Sequence, residues 1–408
     1  MTPADSPDHD LHDTRYAWFR LAVTLLVACV GNVGMWAVIV ILPDMQAEFG
    51  IDRGTASLPY TACMAGFAIG SLAIGRWVDR YGITPCIIAT AALMSAGYTL
   101  AVLSHSVWAL IALHGAIGFG AAANFGPLIA DISHWFMRRR GIAVAITASG
   151  NYLSGAIWPL LLSGLLDSYG WRGVYVALAV IVPALAIPLS LVLRRRISEA
   201  ATARADSAAA ARRGATGLAP AQLQLMLIVA GVACCMAMAM PQVHIVALCA
   251  DLGFGPAVGA EMLSLMLLGG VASRLVSGFL ADRIGGILTL LTGSVLQCIA
   301  LFLYLPAGGL TSLYVVSLVF GLSQGGIVPS YSIVVREYMP AREAGARVGS
   351  VTFATIVGMA VGGWASGWIY DATGSYDMAF LHGIAWNVLN IGIVVTILLL
   401  TRRRLAPA

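Results

Sequence analysis

The sequence predicts an all-α membrane protein of twelve transmembrane helices in two pseudo-symmetric six-helix halves. Three observations lead there: a composition too apolar for water, a dozen uncharged stretches of spanning length, and an internal repeat. Apolar residues make up 59% of the 408 residues and charged residues only 10%, against roughly 25% charged in an ordinary soluble domain. A bilayer accepts uncharged helical stretches of ~20 residues, which water does not.

The apolar spans run Trp18–Pro43, Leu58–Val78, Thr84–Leu103, Val107–Trp135, Gly141–Leu166, Arg172–Leu193, Gln222–Cys249, Gly259–Ala281, Gly286–Pro306, Thr311–Val335, Gly345–Tyr370 and Tyr376–Thr401. They are continuously apolar and rich in small residues. A membrane barrel would instead alternate over ~10 residues per strand, and small residues are what tightly packed membrane helices use.

Orientation follows from arginine, because the chain has no lysine. With the amino terminus cytoplasmic, 20 of the 23 basic residues fall in inner segments, Arg53 and Arg172 fall in outer loops, and Arg274 falls inside a span. The positive-inside rule then puts both termini in the cytoplasm, and the chain is expected in the inner (cytoplasmic) membrane. The first residues, through Asp13, are acidic and lack the positive region of a cleavable signal peptide. Residues 1–17 read as a disordered cytoplasmic tail and 402–408 as a second one. The tail histidines have no zinc spacing and the cysteines are scattered, so neither a metal site nor a disulfide framework is expected.

The repeat fixes the domain organisation. Gly75-Arg-Trp-Val-Asp79-Arg80-Tyr-Gly82 follows span 2, and Gly278-Phe-Leu-Ala-Asp282-Arg283-Ile-Gly285 follows span 8, with the aspartates 203 positions apart. Pro127 and Pro329 in spans 4 and 10 repeat at nearly the same offset, as do Asp167-Ser-Tyr-Gly170 and Asp371-Ala-Thr-Gly374. One half spans 18–193 and the other 221–401. The Arg- and Ala-rich stretch 194–220 between them reads as a cytoplasmic linker, partly helical.

The doubled Gly-x-x-x-Asp-Arg-x-Gly element resembles the signature of the major facilitator superfamily, and the resemblance covers the whole chain. It implies a transporter in which Asp79, Arg80, Asp282 and Arg283 brace the cytoplasmic gate, with Asp131 as the partner of Arg80. Narrower motifs are Asn124-Phe-Gly-Pro127, Trp135-Phe-Met-Arg138-Arg139-Arg140 and Tyr169-Gly-Trp-Arg172. These are similar to the monocarboxylate transporter and oxalate/formate exchanger branch, which implies a small organic anion as substrate.

Arg274 carries the substrate reading. It lies eight positions before Asp282, hence ~12 Å along the helix and near the middle of a ~30 Å core. A central arginine costs at least ~2.5–3.5 kcal/mol, so either it faces a watery cavity, where its fork takes a carboxylate, or it ties carbonyls of adjoining helices together. The branch carries its substrate-binding arginine at this place. This chain departs from the animal members in lacking their lysine in span 1 and their aspartate one turn before the arginine, where Gly270 stands. Their proton relay therefore does not transfer.

Histidine supplies the titratable groups at depth. His114 is a coupling candidate, or else a neutral histidine bonded within the bundle. His244, after Pro241, is a candidate for coupling or for substrate contact. Asn124, Asn151, Tyr152, Trp158 and Tyr331 are candidate cavity groups or interhelical glue. No nucleophile arrangement or metal-ligand cluster suggests an enzyme, and no cofactor or nucleic-acid partner is expected. The expectation is a monomer in the lipid bilayer that moves a small monocarboxylate, by proton symport or anion exchange. An exporter of drugs or other metabolites is the alternative.

Overall fold

The structure, a computed structural model, describes residues 12–51, 53–197 and 199–403. The predicted tails thus fall largely outside the described residues, at 1–11 and 404–408. All regular elements among the described residues are helices. Eleven of these stretches are long and apolar enough to cross a bilayer, and they coincide with predicted spans 1 to 4 and 6 to 12.

The fifth span is hidden in the helix Arg140–Val192, whose 53 residues would reach ~80 Å if straight. Gly170 divides it, with φ 66° and ψ 179°. Only glycine takes that backbone without strain. The stretch therefore supplies two spans, and the glycine of Tyr169-Gly170-Trp171-Arg172 marks the turn between them. The predicted linker contains the helix Glu199–Thr216.

The chain forms two compact units. One comprises residues up to Arg138, Ile146–Arg204 and Ala341–Gly349, and the other Arg139–Ala145, Ala205–Pro340 and Ser350 onward. The sequence halves are thus not quite the structural units, because the first turns of spans 5 and 11 each belong with the opposite half.

Three spans are interrupted in their middle. Span 1 consists of helices Arg15–Gly31 and Val33–Phe49, hinged at Asn32. Span 4 consists of Val107–Ala121, a short tight helix Ala122–Asn124, and Gly126–Ile132. Span 10 consists of Leu310–Gln324 and Ile327–Tyr338. Pro127 and Pro329 both sit in the first turn of the following helix, where a missing N–H costs little.

Candidate functional site

Each copy of the repeated motif caps a helix start. Asp79 accepts hydrogen bonds from the backbone N–H of Gly345 (2.7 Å) and Ala346 (2.8 Å). Asp282 accepts them from Gly141 (2.5 Å) and Ile142 (3.1 Å). A carboxylate on otherwise unsatisfied N–H groups at the positive end of a helix is favourable twice over. The glycines make the approach possible. A Cβ on Gly345 would stand 2.8 Å from Asp79 Oδ1, and one on Gly141 2.8 Å from Asp282 Oδ1. The closing Gly82 and Gly285 have φ of 85° and 83°.

The motif arginines behave differently from expectation. Arg80 and Arg283 are exposed, and Arg80 lies over the ring of the adjacent Tyr81, 5.3 Å from its centroid. Asp131 is paired not with Arg80 but with Arg20 of span 1, at 2.7 Å. The side chain of Arg20 is only 1% exposed. It also donates to the carbonyl of Arg195 and stacks over Trp135 at 4.4 Å. Burial explains the choice of partner: an enclosed guanidinium needs a carboxylate far more than a solvated one does. The place of Arg20 inside the apolar run of span 1 is the sequence signal for such a pairing.

Arg274 is 4% exposed. Its Nε donates to the carbonyl of Gly325, 3.0 Å away, at the break in span 10. At the same break Ser273 Oγ accepts the N–H of Gly326, and a Cβ on Gly325 would meet the backbone of Gly270. Gly270, which replaces the aspartate of the animal transporters, is thus where the two helices touch. Gln324 is 1% exposed, and its Nε2 has no protein partner among the described residues. The span 4 break is built from amides. Asn32 Nδ2 donates to the carbonyls of Ala28 (2.8 Å) and Asn124 (3.0 Å), and the Oδ1 atoms of Asn32 and Asn124 are buried without protein partners among the described residues.

The remaining candidates divide by use. His114 is buried, with Nδ1 donating to the Leu110 carbonyl (2.7 Å) and Nε2 against the Tyr175 hydroxyl (2.6 Å). Both needs are met by a neutral ring. His244 is half-buried, and its Nε2 donates to the Gly363 carbonyl at 2.8 Å, which leaves Nδ1 as the nitrogen that can gain a proton. Trp158 donates to the Cys29 carbonyl, and Asn151 accepts from Trp36. Tyr331 donates to Asn390, which in turn donates to Ser294. These three join helices within a unit, because a buried polar group must find a partner where water is scarce. Tyr152 is half-buried in span 5.

The motif Tyr169-Gly170-Trp171-Arg172, between spans 5 and 6, closes on Glu48, which no sequence motif singles out. Glu48 accepts from Trp171 Nε1 at 2.6 Å and from Arg172 Nη1 at 2.6 Å. Arg172 also donates to the carbonyls of Val102 and Ser104 at the end of span 3. The hydrogen bond from Arg172, seconded by Trp171, holds the Glu48 carboxyl below its ordinary pKa.

Comparison with known proteins gives consistent matches. The sequence model of the Major Facilitator Superfamily matches residues 24–239 and 225–408. The chain is similar to monocarboxylate transporter 13 of Bos taurus, 28% identical over 78% of this chain and 74% of that protein. It is also similar to the agnestins efflux protein of Paecilomyces divaricatus, 27% identical over 83% of this chain and 77% of that one. Among solved structures, the proton:xylose symporter XylE superposes with a TM-score of 0.72 at 12% identity, over 92% of this chain and 94% of its own.

Proposed function

The chain belongs to the Major Facilitator Superfamily, and from that premise we propose that this transporter carries a small monocarboxylate or related organic anion across the cytoplasmic membrane. The observation that carries the reading is Arg274, a guanidinium enclosed at mid-span. Its Nε donates to the carbonyl of Gly325, and a planar guanidinium is the side chain that takes a carboxylate in bidentate fashion. Gln324 Nε2, buried beside the same break, adds a neutral donor. Relatives named monocarboxylate transporters, such as that of Bos taurus, support the same substrate class.

Transport proceeds by alternating access of the two repeats. The empty carrier holds a charge on Arg274 that a bound anion neutralises, so exchange of one anion for another, or symport with a proton, is favoured over release of the empty site. His244 is the better coupling group of the two histidines, since its Nδ1 can accept a proton without breaking the bond to Gly363. The protein works as a monomer with both termini in the cytoplasm.

Uptake of labelled C2–C6 monocarboxylates into proteoliposomes, with and without a pH gradient, tests the proposal. Arg274→Gln is expected to remove saturable uptake, and unchanged uptake overturns the assignment. The similarity to an efflux protein favours one other reading, export of a larger metabolite. That reading predicts efflux that persists in Arg274→Gln.

A further inference from the structure

The motif Trp135-Phe136-Met137-Arg138 is held by the residues that lead into span 1. Asp13 Oδ2 accepts the N–H groups of Met137 (3.1 Å) and Arg138 (3.0 Å), and the Asp13 N–H donates to the Trp135 carbonyl at 3.1 Å. Tyr16 lies against Trp135 with ring centroids 5.4 Å apart, and Trp18 meets Phe136 edge-on at 5.1 Å. Arg20 completes the row, over Trp135 and paired with Asp131. All of these residues lie in the first unit. Asp13 and Tyr16, at the end of the predicted tail, are thus bonded to the body of that unit.

The two ends of the row differ in kind. At Arg20 the guanidinium is buried on its carboxylate, and separating such a pair is costly, so that end is fixed. At Asp13 the bonds are open to solvent, where each contributes little net stability. The backbone there is held at φ 57°, the one positive value among the described non-glycine residues. Aspartate tolerates that conformation better than most residues, and it persists where surrounding contacts impose it. A fixed end and a releasable end make a strap with a clasp.

We propose that this strap governs release of the first turn of span 5. Arg138 closes one segment of the first unit, and Arg139 opens a segment of the second, where Asp282 caps Gly141 and Ile142. With the clasp closed, the chain is fixed at Arg138, three residues before Gly141, a reach of ~10 Å at most. With the clasp open, the nearest anchor is Phe136, five residues before Gly141. A shorter tether keeps the turn at a higher effective concentration near its cap. The clasp therefore restrains departure of the turn from Asp282 and speeds its return. The matching turn of span 11, capped by Asp79, follows a different loop and gives an internal control.

The test is the rate of maleimide labelling of the full-length protein in nanodiscs after Val144→Cys or Val348→Cys. Both valines are fully buried, in the first turns of spans 5 and 11. Labelling is corrected for the parent protein, whose own cysteines are buried or half-buried. Adding Asp13→Ala is expected to speed labelling of the Val144→Cys protein about fivefold, the factor that ~1 kcal/mol gives, and to leave the Val348→Cys rate unchanged. Asp13→Asn keeps an acceptor oxygen and tolerates the same backbone, so it is expected to retain most of the protection. An unchanged rate in the Val144→Cys protein overturns the strap, as does an equal rise at both positions, which marks general loosening. Trypsin cleavage after Arg138 reads the clasp without added cysteines if either cysteine variant does not fold. It is expected to quicken in Asp13→Ala, and an unchanged cleavage rate overturns the clasp.

Discussion

The breaks in spans 4 and 10 occupy equivalent places in the repeat, yet they are finished with opposite chemistry. In the first unit a neutral amide does the work. Asn32 bridges the carbonyls of Ala28 and Asn124, and the polar atoms left over, Asn32 Oδ1 and Asn124 Oδ1, are acceptors. In the second unit a cation does it. Arg274 holds the carbonyl of Gly325, and the leftover atom beside it, Gln324 Nε2, is a donor. The position 203 before Arg274 is Ser71, whose hydroxyl simply bonds its own helix at Phe67. A broken membrane helix can therefore be completed without charge in this same protein. A guanidinium at the second break is more than the backbone requires, and a donor-rich break is what the proposed anion would need.

Arg274→Gln breaks the comparison most sharply. Glutamine can still donate to Gly325, so the folded protein should survive while saturable anion uptake falls roughly 100-fold, as when a buried charged partner is removed. Uptake that survives along with the fold would reduce Arg274 to the status of Asn32. The reverse outcome, a protein that fails to fold with glutamine yet folds with lysine, would make the charge itself structural.

The capped helix starts offer a contrast, since there the two units agree atom for atom. Gly141→Ala and Gly345→Ala should each press a Cβ against a backbone carbonyl, that of Gly278 or Gly75, at 2.3 Å, and against the capping carboxylate at 2.8 Å in both copies, and cost about 2 kcal/mol. Thermal midpoints should fall equally. A large asymmetry would mean that the two starts differ in ways their shared geometry hides. Asn32→Leu should cost less, about 1 kcal/mol, the scale of one interhelical hydrogen bond in a membrane protein. Its uptake should keep the wild-type apparent affinity for the anion, because the acceptor-rich break does not hold it.

What the sequence revealed and what it hid divide along the same line. Spans, the repeat and the motif glycines were legible because each is a local demand: apolar length, offset, and a left-handed or crowded backbone at Gly82, Gly170 and Gly285. Partners were not, because they depend on which helices meet. Asp131 was assigned to Arg80 by resemblance, and burial gave it to Arg20. By sequence Tyr331 and Trp158 are either cavity groups or interhelical glue, and only the structure shows their hydrogen bonds to Asn390 and the Cys29 carbonyl. Gly270, read as a missing aspartate, is a contact point for span 10. The fifth span, evident in sequence, ends in the structure at Gly170, where the backbone leaves the helix before span 6 begins.

The smallest effect concerns the turn between spans 5 and 6, where the first unit does use a charged pair. Glu48 and Arg172 lie at 2.6 Å with side chains 37% and 32% exposed, so solvent screening limits the pair to about 0.2–1 kcal/mol. Its sign is fixed by the depressed Glu48 pKa. A carboxyl whose folded pKa lies below its unfolded one contributes stability above the unfolded value, near 4.3, and loses it as pH falls through the folded one. Glu48→Gln should therefore lower the thermal midpoint slightly at neutral pH, and the gap to wild type should close below about pH 4. A gap that is constant with pH would mean that the indole of Trp171 and the carbonyls of Val102 and Ser104 hold this corner together, with the charge contributing nothing. The clamp at this turn would then be finished with neutral groups like the span 4 break, leaving Arg274 further isolated as the charge that the architecture alone does not explain.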